Sequence, residues 1–297
     1  MANMLSKDIF IPEVATDAII EGLAGMKVLY GSSAVVVQSD LESAGQLKVG
    51  RKVTIPYFGM IPPYQEDVPE GVGLVPDKSS ETTEEAVMKR CGVRIEWSGW
   101  SQAILKARRE NLDPYIVFAS MLLERFRETV EKKLIVAARD GLGSDYINDV
   151  SGSSPGTISW DSVVDTRFKI GDEANDIQLI SMHSKVKKDA LKLKDGEDRP
   201  LFVDAMNGDG GDIPRIQGVT VFTSDLNYKS SADPPIYDTL LMQRNSLVLW
   251  HSNPTIEPYR DPNADMNSLI SWFYYIPYRY AKLPGKTKGG VLIHRSK

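Results

Sequence analysis

The chain has 297 residues, with 35 Lys and Arg against 40 Asp and Glu, a formal charge of −5 and a pI near 5.4. With 42% hydrophobic and 25% charged residues it has the composition of a globular protein. Its one cysteine, Cys91, excludes an intramolecular disulfide framework and a cysteine-based zinc cluster.

The stretch 116–123 is the longest largely apolar run, broken at Ser120, and falls far short of the ~20 residues that span a bilayer. The start, MANMLSKDIF, has no apolar segment of the kind a signal peptide needs. The acidic balance argues against a dedicated nucleic-acid binder. The expectation is a soluble, cytoplasmic protein of roughly one to three domains.

Ile19, Ile20 and Leu23 could form one helical turn. Residues 33–38 (SAVVVQ) are β-branched and read as a strand. Residues 52–58 (KVTIPYF) read as a second, with Pro56 arguing for an edge or a bulge. Residues 59–85 are rich in proline, glycine and acid, and strand-like residues 86–97 follow. The natural reading is a long two-stranded excursion. It is too polar to bury itself, so it needs a partner surface.

Asp113 and Pro114 suit the N-cap and first turn of a helix. Apolar residues at Ile116, Ala119, Leu123, Phe126, Val130, Leu134 and Ala137 mark one face. Glu128 and Lys132 form a favourable i,i+4 pair, and Gly141 and Gly143 stop the helix. About 26 residues at ~1.5 Å each make a rod of ~39 Å. A compact chain of this length has a radius of gyration of only ~19 Å, so the subunit is expected to be elongated or flat.

After a loop at 151–156 comes a short amphipathic helix with Trp160, Val163, Val164 and Phe168. Residues 176–182 read as a buried strand. Ser184 is expected to cap a helix carrying Val186, Ala190, Leu191 and Leu193, ended by Gly196. Residues 218–223 form another strand, which makes an α/β module at about 157–240. From Asp238 the pattern is β only. Residues 239–243 and 246–251 read as a hairpin around Arg244 and Asn245, followed by an aromatic strand at 269–280 and a last one at 289–294.

The charge is unevenly spread. Residues 57–85 hold seven acids and one base, a balance of −6, and residues 86–110 hold six bases and two acids, a balance of +4. After Asp265 no acid occurs, while six bases follow. These are either solvated faces or complementary surfaces on neighbouring subunits.

Several motifs invite chemistry and lack its context. Residues 152–156 (GSSPG) match the G-x-S-x-G elbow of serine hydrolases, but Pro155 has no N–H to offer an oxyanion. Residues 45–52 (GQLKVGRK) miss the phosphate loop at its Lys and its Ser or Thr, and Gly285-Lys286-Thr287 lacks the first glycine. Residues 204–212 (DAMNGDGGD) fail the alternation of a calcium loop. His183, His251 and His294 have no metal-binding spacing. The aromatic run of Trp272, Phe273, Tyr274, Tyr275, Tyr278 and Tyr280 reads as a strand buried on both faces or in a subunit contact, rather than as a base-stacking platform.

The order of these parts resembles the major capsid proteins of tailed bacteriophages, which share the Hong Kong 97-type fold. The strand GRKVTIPYF before the acidic loop DVPEGVGLVPDKSSETTEEA resembles the family's extended E-loop. The helix from Asp113 resembles its spine helix. IQLISMHSKVKKDALKLKDGEDRPL and IPRIQGVTVFTSD resemble the A-domain, and LVLWHSNPTIEPYRDP the returning P-domain strands.

The resemblance implies an α+β subunit with an N-terminal arm at 1–50 and the E-loop with its flanking strands at 51–97. The P-domain with its spine helix falls at 98–156, the A-domain at 157–237, and the A-domain return with P-domain strands at 238–297. It implies no enzyme activity and no cofactor or metal. Copies would assemble as pentamers and hexamers into an icosahedral shell around double-stranded DNA, touched on the inner face without sequence specificity. Localisation would be the virion capsid, assembled in the host cytoplasm, with no membrane involved.

About 50 residues precede the E-loop strands, too few for a built-in scaffolding segment, so a separate scaffolding protein is expected, as is a portal protein. The expected subunit contact joins Glu66, Asp67 and Glu70 to Lys89, Arg90, Arg94, Arg108 and Arg109 of a neighbour. Some basic C-terminal residues could lie near DNA. The rivals are an encapsulin-like nanocompartment shell and, from another class, a hydrolase using Ser154.

Overall fold

The structure, a computed structural model, describes residues 29–38, 52–58, 81–98, 114–194, 215–216, 218–252, 254–261, 265–283 and 289–297. Its longest element is helix α1 (Pro114–Arg139), 26 residues as its spacing predicts. Leu122, Phe126, Val130, Leu134, Ile135 and Ala138 are buried along it. The buried line drifts around the helix because 3.6 residues per turn do not keep a fixed step, so Ala138 rather than Ala137 ends it. Glu128 binds both Lys132 and Arg125 at 2.6 Å. The helix stops where Gly141 takes φ +65°, a conformation that costs glycine nothing.

Under α1 lies a five-stranded sheet. Its centre is β12 (Met266–Arg279), the longest strand. One edge of β12 is lined in succession by β10 (Leu247–His251) and β11 (Thr255–Asp261), both antiparallel to it. The pairing register slips by one residue between them. The other edge pairs with β4 (Lys89–Ser98), and β1 (Val35–Gln38) adds in parallel beyond β10. Alternation decides the faces. Phe273 and Tyr275 point into the main core with Phe126 and Leu134, while Ile276 and Tyr278 join Met88 and Val248 in a cluster on the opposite face. The aromatic run is thus used on both faces.

The second sheet has six strands in the order β5–β13–β9–β6–β8–β7. These are β5 (Ile147–Asp149), β6 (Ile177–Met182), β7 (Arg215–Ile216), β8 (Val219–Thr223), β9 (Tyr237–Gln243) and β13 (Val291–Ser296). One face, with Leu179, Leu240, Met242 and Ile293, shares the core of α1. The other, with Ile180, Met182, Leu241 and Leu292, packs under α2 (Trp160–Phe168) and α3 (Ser184–Leu191). A two-stranded ribbon, β2 (Lys52–Phe58) with β3 (Glu81–Val87), makes the third sheet.

Four expectations change. Residues 239–251 form no hairpin: β9 and β10 belong to different sheets, with Asn245 at φ +57° between them. Every residue of β9 is buried, so it takes a strand on each side, β13 and β6. The strand expected over 86–97 divides at buried Met88, its first part pairing with β2 and its second with β12. His183 rather than Ser184 caps α3, its Nδ1 accepting the Lys185 N–H at 3.2 Å. In α2 the buried face is Ser162, Val163 and Thr166, leaving Trp160 and Phe168 exposed. The Ile19–Leu23 turn, the Asp113 cap, Gly196 and the 204–212 loop lie outside the described residues.

Candidate functional site

Two groups of charged residues stand out, one at the surface and one inside. The surface group lies on β4. Residues two apart share a strand face, so Arg90, Arg94 and Glu96 project together, away from Cys91 and Trp97, which pack toward the core. The guanidinium carbon of Arg90 sits 4.7 Å above the Trp272 ring and 5.8 Å from that of Tyr274. Arg94 sits 5.5 Å from the Tyr259 ring and binds Glu96 at 2.6 Å. Gly92 stands opposite Trp272, and a Cβ there would come within 3.2 Å of the Ser271 carbonyl oxygen. The close strand pairing that seats the arginines on their rings therefore favours glycine. Lys89, also exposed, begins the strand one residue out of phase with them.

The inner group centres on Asp238 in β9, which is fully buried. Arg139, the last residue of α1, donates to its Oδ2 at 2.8 Å, and Arg295 of β13 donates to its Oδ1 at 2.8 Å. Arg295 also lies 3.5 Å from Asp149 of β5, and Arg139 stacks 3.5 Å over the Tyr228 ring. One carboxylate thus ties the end of the long helix to three strands of the second sheet.

Beside it, His294 is fully buried, with Nε2 2.9 Å from Ser162 Oγ. Burial pushes its pKa down to about 4, so the ring stays neutral. Glu131 of α1 is 3% exposed. Burial raises its carboxyl to about 7, against the pull of the Leu29 and Tyr30 backbone N–H groups. Tyr30 in turn hydrogen-bonds His251 Nε2 at 2.9 Å, which fastens the Leu29–Gly31 turn to β10. Among the described residues no cluster of three His, Cys, Asp or Glu could hold a metal ion, and no helix is long and apolar enough to cross a membrane.

The arrangement is a pair of sheets packed on one long helix, with an antiparallel ribbon and exposed arginines on β4. No family model matches the sequence. The major capsid protein of Bacillus phage SPP1 is 23% identical over 243 residues, covering 76% of this chain and 74% of that protein. The capsid of Ralstonia phage GP4 matches with a TM-score of 0.59 over 91% of both chains, at 12% identity. The SrpI encapsulin complex of Synechococcus elongatus matches at 0.53 over 73% of this chain and 76% of that one, at 11% identity. The chain has the Hong Kong 97-type capsid fold.

Within this fold, Lys89, Arg90 and Arg94 share the β4 edge strand, with Arg90 and Arg94 on one face. Glu66, Asp67, Glu70, Arg108 and Arg109 lie outside the described residues. Ser154 sits in an exposed turn, and α2 begins only at Trp160, so the strand–turn–helix of a nucleophile elbow does not form. Two of the C-terminal bases are turned inward: Arg295 on Asp238, and Arg279 on the Asp140 carbonyl at 3.1 Å. Sequence reasoning missed Asp238. Its partners stand 99 and 57 residues away, and no local pattern announces such a contact.

Proposed function

We propose that this chain is the major capsid protein of a tailed phage, the subunit of an icosahedral shell enclosing double-stranded DNA. The carrying observation is a capsid fold matched over nine-tenths of the chain, joined to a phage capsid relative in sequence. In this reading α1 and the five-stranded sheet belong to the P-domain. The six-stranded sheet with α2 and α3 is the A-domain, and β2 and β3 are the base of the E-loop. Subunits gather as pentamers and hexamers in the host cytoplasm with a separate scaffolding protein and a portal. The DNA meets the inner face through its phosphates alone.

The exposed Arg90 and Arg94 support one contact in particular. The acidic loop of one subunit docks on Lys89, Arg90 and Arg94 of the next, with Arg108 and Arg109 adding to the basic surface. Rings beneath the guanidiniums limit their motion, so less entropy is lost when a carboxylate arrives. Charge reversal at Glu66, Asp67 and Glu70 then abolishes normal shells.

Electron microscopy of the purified protein, with and without a co-expressed scaffolding protein, tests the whole reading. Closed shells are expected, and a protein that stays monomeric under both conditions refutes it. The encapsulin match favours a second reading, a nanocompartment. Shells holding an enzyme instead of DNA would select it.

A further inference from the structure

Helices α2 and α3 lie on the same face of the six-stranded sheet and share one core, to which α2 contributes Val163 and α3 contributes Val186 and Ala190. They serve opposite halves of it. Helix α2 packs against β13 and β5, and β5 is one edge strand. Helix α3 lies on the connection between parallel β6 and β8, in the half of the sheet that ends at edge strand β7.

Their outer surfaces are complementary. On α2, Trp160, Val164 and Phe168 are spaced four apart and form an apolar stripe, with Trp160 36% and Phe168 58% exposed. Asp161 and Asp165 run beside it, both exposed. The helix's own cations do not neutralise them. Arg167 Nε donates to the Ala174 carbonyl at 2.8 Å, and Lys169 donates to the Ile147 carbonyl at 2.6 Å. Lys188 and Leu191 of α3 and Lys192 at its C-cap share one face at i, i+3 and i+4, with Leu191 37% exposed. None of these two aspartates and two lysines has an ion-pair partner among the described residues.

We propose that these two surfaces are the halves of one contact between copies of this chain: α2 of one subunit docks on α3 of the next. The apolar stripe covers Leu191, and Asp161 and Asp165 face Lys188 and Lys192. The two halves differ and sit toward opposite sheet edges, so the contact is head-to-tail and closes into a ring when the rotation allows. The inference rests on the shell-subunit reading and names the surface on which a ring of subunits would close. Opposite charges fix register and speed encounter, and the apolar stripe supplies area to bury.

A charge swap in the full-length protein tests it, read as shell yield by electron microscopy and sedimentation. Reversing the acidic side (Asp161→Lys with Asp165→Lys) or the basic side (Lys188→Glu with Lys192→Glu) sets like charges together, and each lowers shell yield by about tenfold or more. Combining all four substitutions in one chain restores opposite charges and shells. The contact is overturned if either two-residue variant assembles as the unaltered protein does, or if the four-residue variant melts normally yet forms no shells. Should the four-residue variant fail to fold, Phe168→Ser decides. It alters only an exposed side chain, and normal shells from it also overturn the contact. Absence of shells from the unaltered protein refutes the shell reading itself, a result distinct from these.

Discussion

Two pairs of arginines behave oppositely in this subunit. Arg139 and Arg295 close on Asp238, a carboxylate with no solvent exposure, and join segments far apart in sequence. Arg90 and Arg94 lie at the surface, seated on Trp272 and Tyr259. A buried charge must be matched inside its own chain, because leaving it unpaired costs several kcal/mol. An exposed charge is under no such demand and stays available to a second molecule. The inner pair therefore ties distant segments of the chain together, while the outer pair stays open to solvent even where Arg94 binds its neighbour Glu96.

Removing the carboxylate between the inner pair is the harshest test of that division. Asp238→Ala leaves two half-buried guanidiniums without their acceptor and should cost roughly 3–5 kcal/mol in urea unfolding of the isolated subunit. A loss below about 1 kcal/mol, the range of surface pairs, would erase the contrast between the two sets.

Acid should strike the same inner region through His294. Its folded pKa of about 4 lies below the usual 6.5, so between these values the unfolded chain binds the extra proton. Stability from this residue is complete above pH 6.5 and is lost as pH falls toward 4, by roughly 3 kcal/mol. The difference in stability between the unaltered protein and His294→Gln, followed from pH 7 to 4, should show that decline. A flat difference would mean the imidazole is not held neutral.

These inner contacts mark where the sequence stopped being informative. Helix α1 was legible in type and length because propensity and a 3.6-residue period act locally. The strand at 52–58 was legible from its β-branched pattern, but its partner was not: it pairs with 81–87, mostly read as loop, while 89–98 goes to β12. The partition of β9 and β10 between two sheets was hidden, since a two-residue gap at Arg244 and Asn245 looks the same whether the chain reverses or crosses over. The arginine ridge was visible as charge density, but its aromatic seat was not. Arg90 meets Tyr274 only through a register spanning some 180 residues. Helix α2 was legible as amphipathic, but an amphipathic period does not say which of its apolar residues are covered, and Trp160 and Phe168 stay exposed.

Glu131 sharpens the comparison from the opposite sign of charge. It is a buried carboxyl that makes no ion pair among the described residues, and burial raises it to about 7 against a usual 4.5. The folded chain holds the extra proton between these values, so the residue costs nothing below pH 4.5 and an increasing amount as pH climbs through 7. Glu131→Gln removes the charge and should stabilise the subunit above pH 7 by up to roughly 3 kcal/mol, with no gain at pH 4.5. Thermal melts at the two pH values check it, and equal shifts at both would point to packing instead of charge.

The smallest effect on the fold should come from Arg90. Its stacking on Trp272 is exposed, so Arg90→Ala should lower subunit stability by no more than about 0.5–1 kcal/mol. If the ridge receives a neighbour's acidic loop, the same substitution should slow shell formation, with the deficit growing less marked as salt screens the unaltered contact. Light scattering during assembly at low and high salt measures this directly. Arg90→Lys separates charge from shape. It keeps the positive charge but gives up the planar stack that fixes the guanidinium. If lysine restores the rate, charge alone draws the loop in. If it does not, the aromatic seat beneath the arginine belongs to the contact as much as the charge above it.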